Sequence, residues 1–139
     1  MQTIFTVGYG GRGKEEFVQI MREHGVKTVV DIRLRPDRAS MGIWVKAKTD
    51  DKGIESWLKE AGIGYVSLVE LGNVFFGLLD WPQRYERLLR SSGDLLTERL
   101  KEIPEPICLM CAEKRFEECH RQQVADYLAG HTGVVIHHL

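Results

Sequence analysis

The segment PICLMCAEKRFEECHRQQVADYL, residues 106–128, carries a strand, a polar loop and a helix in direct succession. Its first six residues are apolar and of strand length, whereas Val124, Ala125 and Leu128 have the spacing of a helix that packs one face on a core. The loop between them contains two thiols, an imidazole, a guanidinium and several carboxylates. Ligands of open α/β sheets bind at the carboxyl ends of the strands, so this loop is the predicted location of a functional site.

Four other segments share the character of that strand, because they are short, apolar or β-branched, and bounded by Gly or Pro. They lie at residues 3–7, 27–32, 64–68 and 133–137. Helical patterns run between them at residues 17–24, 54–61 and 85–103, the last with a predicted break at 91–93. Strands that alternate with helices predict one α/β domain over residues 1–139, a three-layer α/β/α fold with a mostly parallel central sheet of about five strands.

The composition is that of an ordinary globular protein, with 139 residues of which 43% are hydrophobic and 28% charged. A formal net charge of -1 gives no overall attraction to nucleic acid or to an anionic membrane. No segment is long and apolar enough to span a bilayer, and the first residues lack the pattern of a signal peptide, so we expect a cytoplasmic protein with no membrane partner. Three cysteines do not form a disulfide framework, and reduced thiols are expected.

Strand alternation separates two of the cysteines. Cys108 and Cys111 are three residues apart in the strand, so their side chains are predicted to point to opposite faces of the sheet. This argues against a redox pair of the thioredoxin type, which belongs at the start of a helix. Cys108 is expected to be a buried apolar residue. Cys111 ends the strand and is compatible with either a functional or a structural role.

The periodicity of the helix after the cysteine loop predicts the directions of the side chains of Cys119, His120 and Arg121. Projection back from Val124 at 100° per residue directs Arg121 and His120 toward the sheet edge. Cys119 falls on the far side of the helix unless it precedes the first regular turn. A buried Arg121 would need an acidic residue or a bound anion as its partner.

Two familiar kinds of cysteine site are disfavoured. Zinc would require the adjacent Cys119 and His120 to bind one tetrahedral ion, together with cysteines on opposite faces of a strand. A cysteine phosphatase would require arginine six residues after Cys111, where Glu117 stands, and an anion-binding loop without the three glutamates present here. We therefore predict no metal and no cofactor.

A second group of charged residues follows the strand at residues 27–32. Alternation places Asp31 and Arg33 on one face, and Arg35 follows in the next loop. The planar guanidinium suits carboxylate or phosphate groups. An internal network is the other interpretation, with Asp31 paired to Arg121 or Arg33 paired to Glu113.

Two loops complete the predicted site. Val7-Gly8-Tyr9-Gly10-Gly11 follows the first strand, lacks the spacing of a dinucleotide-binding loop, and is expected to turn tightly while Tyr9 covers the site. The connection at residues 33–52 is rich in charge and has no sustained period, which is typical of a surface lid.

These motifs, in this order, resemble the DUF488 family, a domain of unknown function, over almost the whole chain. The matching segments are Thr6-Val7-Gly8-Tyr9, Val30-Asp31-Ile32-Arg33 with Pro36, Gly62-Ile63-Gly64-Tyr65 with Leu71-Gly72, Leu109-Met110-Cys111-Ala112-Glu113, and Cys119-His120-Arg121. The chain departs from the family pattern at Asn73, where many members have a second glycine. The resemblance implies an α/β domain with its signature residues collected at one end of the sheet, and it brings no established reaction.

The leading interpretation is an enzyme or enzyme-like domain that binds an anionic small molecule or nucleotide-like group at the carboxyl end of the sheet. The catalytic candidates are Cys111, Glu113 and His120, and the ligand-binding candidates are Tyr9, Asp31, Arg33, Arg35 and Arg121. The alternative is a non-catalytic module that binds nucleic acid or a protein partner through the basic loop 33–48. The near-neutral overall charge counts against nucleic acid.

Overall fold

A computed structural model describes residues 1–139. The strands are β1 (Thr3–Gly8), β2 (Thr28–Asp31), β3 (Gly64–Ser67), β4 (Ile107–Cys111) and β5 (Val135–His138). The α-helices are α1 (Lys14–Glu23), α2 (Gly53–Glu60), α3 (Trp81–Leu96) and α4 (Arg121–Thr132). Short 3₁₀ helices occupy Gly42–Trp44, Val69–Leu71, Glu98–Glu102 and Phe116–Glu118.

All five strands join one parallel sheet in the order β3-β2-β4-β1-β5. The predicted α/β fold with a parallel sheet is therefore confirmed, and the strand that carries Cys111 lies near the centre. Helix α3 runs unbroken through residues 91–93, where the sequence predicted a break. Gly93 is buried there, and a Cβ at this position would overlap the ring of Tyr127 from α4. The glycine permits close helix packing in place of a break.

Two hydrophobic clusters cover the two faces of the sheet. Helices α1 and α2 bury Phe17, Met21 and Leu58 on one face, and α3 and α4 bury Tyr85, Leu89, Val124 and Leu128 on the other. Cys108 belongs to the first cluster and Cys111 to the second. The predicted alternation of these two cysteines is confirmed.

The layer arrangement creates a crevice between two central strands. β1 and β4 are neighbours, but the helix after β1 covers one face of the sheet and the helix after β4 covers the other. The chain therefore passes from the ends of these two strands to opposite faces of the sheet. Such a topological switch point is where open α/β sheets bind ligands.

The cysteine loop packs directly on the glycine turn that follows β1. The backbone N–H groups of Tyr9 and Gly10 donate to the carbonyls of Cys111 and Ala112 at 3.1 and 2.9 Å. A Cβ at Gly8 would overlap the carbonyl of Glu113. The absence of a side chain at Gly8 thus permits the two loops to meet.

The connection at residues 33–52 is anchored to the first hydrophobic cluster. The Trp44 side chain is 1% exposed, and its ring stacks on Tyr9 with the centroids 4.3 Å apart. The N–H of Lys46 donates to the carbonyl of Pro36 at 2.7 Å. No helix combines the length and apolar character needed to cross a membrane.

Candidate functional site

A cavity of about 370 Å³ opens at the carboxyl ends of β1, β2 and β4. We call it the site cavity. Three arginines, three aromatic residues, two cysteines, two glutamates and a histidine are among its lining residues: Arg33, Arg35, Arg38, Tyr9, Phe76, Trp81, Cys111, Cys119, Glu113, Glu118 and His120. Its volume lies in the range of small-molecule sites, and it combines apolar walls with a few charged groups.

Six of the eight candidate residues from the sequence line the site cavity: Tyr9, Arg33, Arg35, Cys111, Glu113 and His120. Asp31 and Arg121 are fully buried directly behind it and bond to residues of the lining. Sequence reasoning left out five of these lining residues as site residues: Arg38, Phe76, Trp81, Glu118 and Cys119. Arg38 could have been found from its place in the charged loop, whereas the two aromatic residues come from a segment that carried no motif.

Asp31 and Arg33 form a buried, two-pronged ion pair. Nε of Arg33 donates to Oδ1 of Asp31 at 2.9 Å, and NH2 donates to Oδ2 at 2.6 Å. The Tyr65 hydroxyl donates to the same carboxylate, and NH1 of Arg33 donates to the Tyr9 hydroxyl at 3.2 Å. Burial opposes the charge of Arg33, but the hydrogen bonds and charge of Asp31 raise its pKa above the ordinary value. Asp31 therefore fixes Arg33 at the edge of the site cavity, and neither proposed long-range network forms.

Arg121 is fully buried, as its helical phase predicted, and its neighbours include no acidic side chain at ion-pair distance, so a bound anion is the predicted partner that stays a prediction. NH1 donates to the carbonyl of Glu113 at 2.6 Å and to Sγ of Cys111 at 2.8 Å, and NH2 donates to the carbonyl of Lys114 at 3.1 Å. Nε donates to the Thr6 hydroxyl at 3.3 Å. The guanidinium thus holds the cysteine loop by its backbone and has no carboxylate within ion-pair distance. Burial lowers its pKa from the ordinary value.

The sulfur atoms of Cys111 and Cys119 are in direct contact and form a disulfide across the cysteine loop. The prediction of unpaired thiols is wrong for these two residues and holds for Cys108, whose pKa is raised by burial. Cys119 is extended and follows the Phe116–Glu118 turn. It therefore precedes the first turn of α4, and the helical projection to the far side does not apply to it.

His120 is buried at the start of α4, between the residue that follows β2 and the sulfur of Cys119. Its Nε2 lies 3.0 Å from the carbonyl of Ile32, and its Nδ1 lies 3.7 Å from Sγ of Cys119. Because a carbonyl only accepts hydrogen bonds, Nε2 carries the hydrogen and the lone pair of Nδ1 faces the sulfur. Burial lowers the pKa of His120 to about 4. The imidazole is therefore neutral at physiological pH and a weak base, and in the reduced protein its Nδ1 lone pair can accept a hydrogen bond from the Cys119 thiol.

A metal ion is poorly accommodated by this arrangement. One side-chain donor atom from each of Cys111, Glu113 and Cys119 lies within 4.8 Å of the others. However, the guanidinium of Arg121 contacts Sγ of Cys111 at 2.8 Å and would repel a cation there. Cys108, the remaining thiol, lies on the opposite face of the sheet.

The outer part of the site cavity is more basic than the protein as a whole. Arg35 pairs with the exposed Asp37 at 3.0 Å, whereas Arg38 forms no ion pair. Two glutamates, Glu113 and Glu118, border the cysteine side. Positive charge is thus concentrated on the side formed by the loop after β2, and the two sulfurs lie on the side formed by β4 and the loop after it.

The sequence model of the family described as "Domain of unknown function DUF488" matches residues 14–128. Searches of the curated proteins and of the solved structures found no match to the chain.

Proposed function

The chain belongs to the DUF488 family, and we propose that its site cavity binds an anionic small molecule on which Cys111 acts as a nucleophile. The observation that carries the proposal is the contact between the buried guanidinium of Arg121 and Sγ of Cys111. This contact favours an enzyme over a non-catalytic binding module, because a guanidinium beside the sulfur stabilises the thiolate, which is the reactive form of cysteine.

A buried cation requires a counter-ion, since leaving it unpaired costs several kcal/mol. The partners of Arg121 are two carbonyls, one hydroxyl and one sulfur. Of these, Cys111 is the one that ionises readily. In the reduced protein we therefore expect Cys111 to be a thiolate, which is the nucleophilic form of cysteine.

The anion would be held on the opposite wall of the site cavity. Arg33 presents a guanidinium fixed by Asp31, and Arg35 and Arg38 extend this wall toward solvent. Because Arg38 has no carboxylate partner, its charge is the most available to a ligand. Tyr9 and Trp81 supply apolar surface, so a small organic anion suits the cavity better than an inorganic ion.

Glu113 and His120 are the proton-transfer groups of the proposal. The Glu113 carboxylate approaches within 4.8 Å of both sulfurs and is partly exposed, so it can accept a proton from a substrate group held beside the cysteines. His120 is aimed at Cys119 through Nδ1. The two groups therefore serve different steps.

A pair of alkylating reagents tests the proposal. Iodoacetate carries the carboxylate that its neutral analogue iodoacetamide lacks, and both are small enough to enter the site cavity. With the reduced protein, the ratio of the iodoacetate to the iodoacetamide rate at Cys111 should exceed the ratio for free cysteine. Arg38→Gln should lower that ratio by about two- to fivefold, as expected for loss of one partly screened charge.

Two internal references accompany this measurement. Arg90→Gln removes an exposed arginine of α3 outside the site cavity and should leave the ratio unchanged. Cys108 should stay unmodified because it is buried on the other face. A Cys111 as inert as Cys108 would contradict the proposal, and salt-dependent nucleic-acid binding that Lys48→Gln weakens would then favour the binding module.

A further inference from the structure

We propose that Cys111 and Cys119 act together as a dithiol that reduces disulfides of small anionic thiols. This inference rests on the proposed function, to which it adds the reaction class and a second reacting thiol. Both sulfurs line the site cavity and touch each other, one at the end of β4 and the other just before α4. The two sulfurs are therefore positioned to exchange with each other.

Each of the two thiols has its own activating group, and the groups differ. Cys111 contacts the guanidinium of Arg121, which favours its ionised form before any substrate arrives. Cys119 faces the Nδ1 lone pair of His120 and accepts the backbone N–H of Arg121 at 3.4 Å. Cys119 can therefore lose its proton to His120 during the reaction. The asymmetry assigns the first attack to Cys111 and the second to Cys119.

The steps balance as ordinary thiol–disulfide exchange. The thiolate of Cys111 attacks one sulfur of a disulfide RSSR, forms a mixed disulfide and releases RS⁻. As the sulfur of Cys119 attacks Sγ of Cys111, its proton passes through the neutral imidazole of His120 to the second RS⁻ as that group departs, so that no imidazolium accumulates. The two protein thiols supply two electrons to the substrate. A second thiol or dithiol reductant then returns the protein to its dithiol form.

The arginines that line the site cavity favour disulfides that carry carboxylate groups. A disulfide with carboxylate groups would meet Arg38 and Arg35 while its sulfur reaches Cys111 on the other wall. The volume of about 370 Å³ limits the part that enters to a small molecule. Cys108 takes no part, because it is fully buried on the opposite face of the sheet from Cys111.

Dithiodiglycolate, an anionic aliphatic disulfide, and bis(2-hydroxyethyl) disulfide, its neutral counterpart, are the probes. The reduced protein is mixed with each probe, quenched in acid and examined by intact mass and thiol count. Wild-type protein should lose two thiols and carry no adduct, because Cys119 resolves the mixed disulfide. Cys119→Ser should trap one adduct per chain at Cys111, and Cys111→Ser should form none in the same time.

Two further variants complete the design. Cys108→Ser should behave as the wild type does. His120→Gln should slow release of the adduct, by less than the roughly 100-fold contributed by a base whose pKa lies near the operating pH, without changing how fast the adduct forms.

A stable adduct on the wild-type protein, equal labelling of Cys119 in the Cys111→Ser variant, or no loss of thiols would overturn the dithiol mechanism. These outcomes are distinct from failure of the anion-binding proposal. If the neutral probe reacts as fast as the anionic one and Arg38→Gln has no effect, the cavity does not select anions even though the thiol pair exchanges.

Discussion

Arg33→Met should lower the free energy of unfolding by about 3–5 kcal/mol, the usual cost of breaking one side of a buried ion pair. Asp31 is fully buried and receives three hydrogen bonds from the Arg33 side chain and one from its backbone N–H. After the substitution, Tyr65 is the remaining side-chain donor to that carboxylate. Urea unfolding at neutral pH measures the loss.

Two further variants show whether the loss of stability comes from the unpaired charge of Asp31 or from the removal of any arginine in this loop. Arg35→Met removes an exposed arginine from the same loop and should change stability little, because its ion pair with Asp37 lies in solvent. The double variant Asp31→Asn/Arg33→Met removes the stranded charge and should recover part of the loss. A double variant less stable than Arg33→Met would contradict the account.

Acidification from pH 6.5 to pH 4 should remove about 3 kcal/mol of stability through His120 alone. The unfolded chain binds a proton at His120 near pH 6.5, whereas the folded protein keeps the imidazole neutral until about pH 4. The unfolded state therefore holds more protons across this window, and stability falls as the pH falls. Well above pH 6.5 the histidine is neutral in both states and adds no slope.

His120→Gln isolates this contribution. The amide nitrogen of glutamine can occupy the place of Nε2 and donate to the carbonyl of Ile32, but it does not titrate. The difference in unfolding free energy between the wild type and the variant should therefore shrink by about 3 kcal/mol between pH 6.5 and pH 4. Carboxylates titrate in both proteins and cancel. Parallel stability profiles would show that His120 is accessible to protons in the folded state.

The sheet was predictable because its strands are short, rich in apolar or β-branched residues and separated by helical patterns. Strand periodicity alone predicts that Cys108 and Cys111 point to opposite faces of the sheet, and helical periodicity predicts that the side chain of Arg121 points inward. Both are local properties of a regular backbone. The observed strand bounds differ from the predicted ones by no more than two residues.

Other features of the site depend on irregular backbone. Side-chain directions do not repeat there at a fixed spacing, so the sequence pattern does not predict them. The 3₁₀ turn at Phe116–Glu118 displaces Cys119 from the helical phase and brings it to Cys111. The partners of Arg121 are main-chain carbonyls, and every residue type offers the same carbonyl. Asp31 bonds to Arg33, two residues away, where longer-range pairings had been considered.

The guanidinium of Arg121 makes two kinds of contact, and a substitution would change both together. It fixes the backbone at Glu113 and Lys114, and the same group contacts the sulfur of Cys111. A substitution intended to change the acidity of that sulfur would also release the loop and alter the shape of the cavity. Redesign of the chemistry should therefore begin at Glu113, whose carboxylate lies near both sulfurs and whose side chain is not bonded to the loop that Arg121 secures.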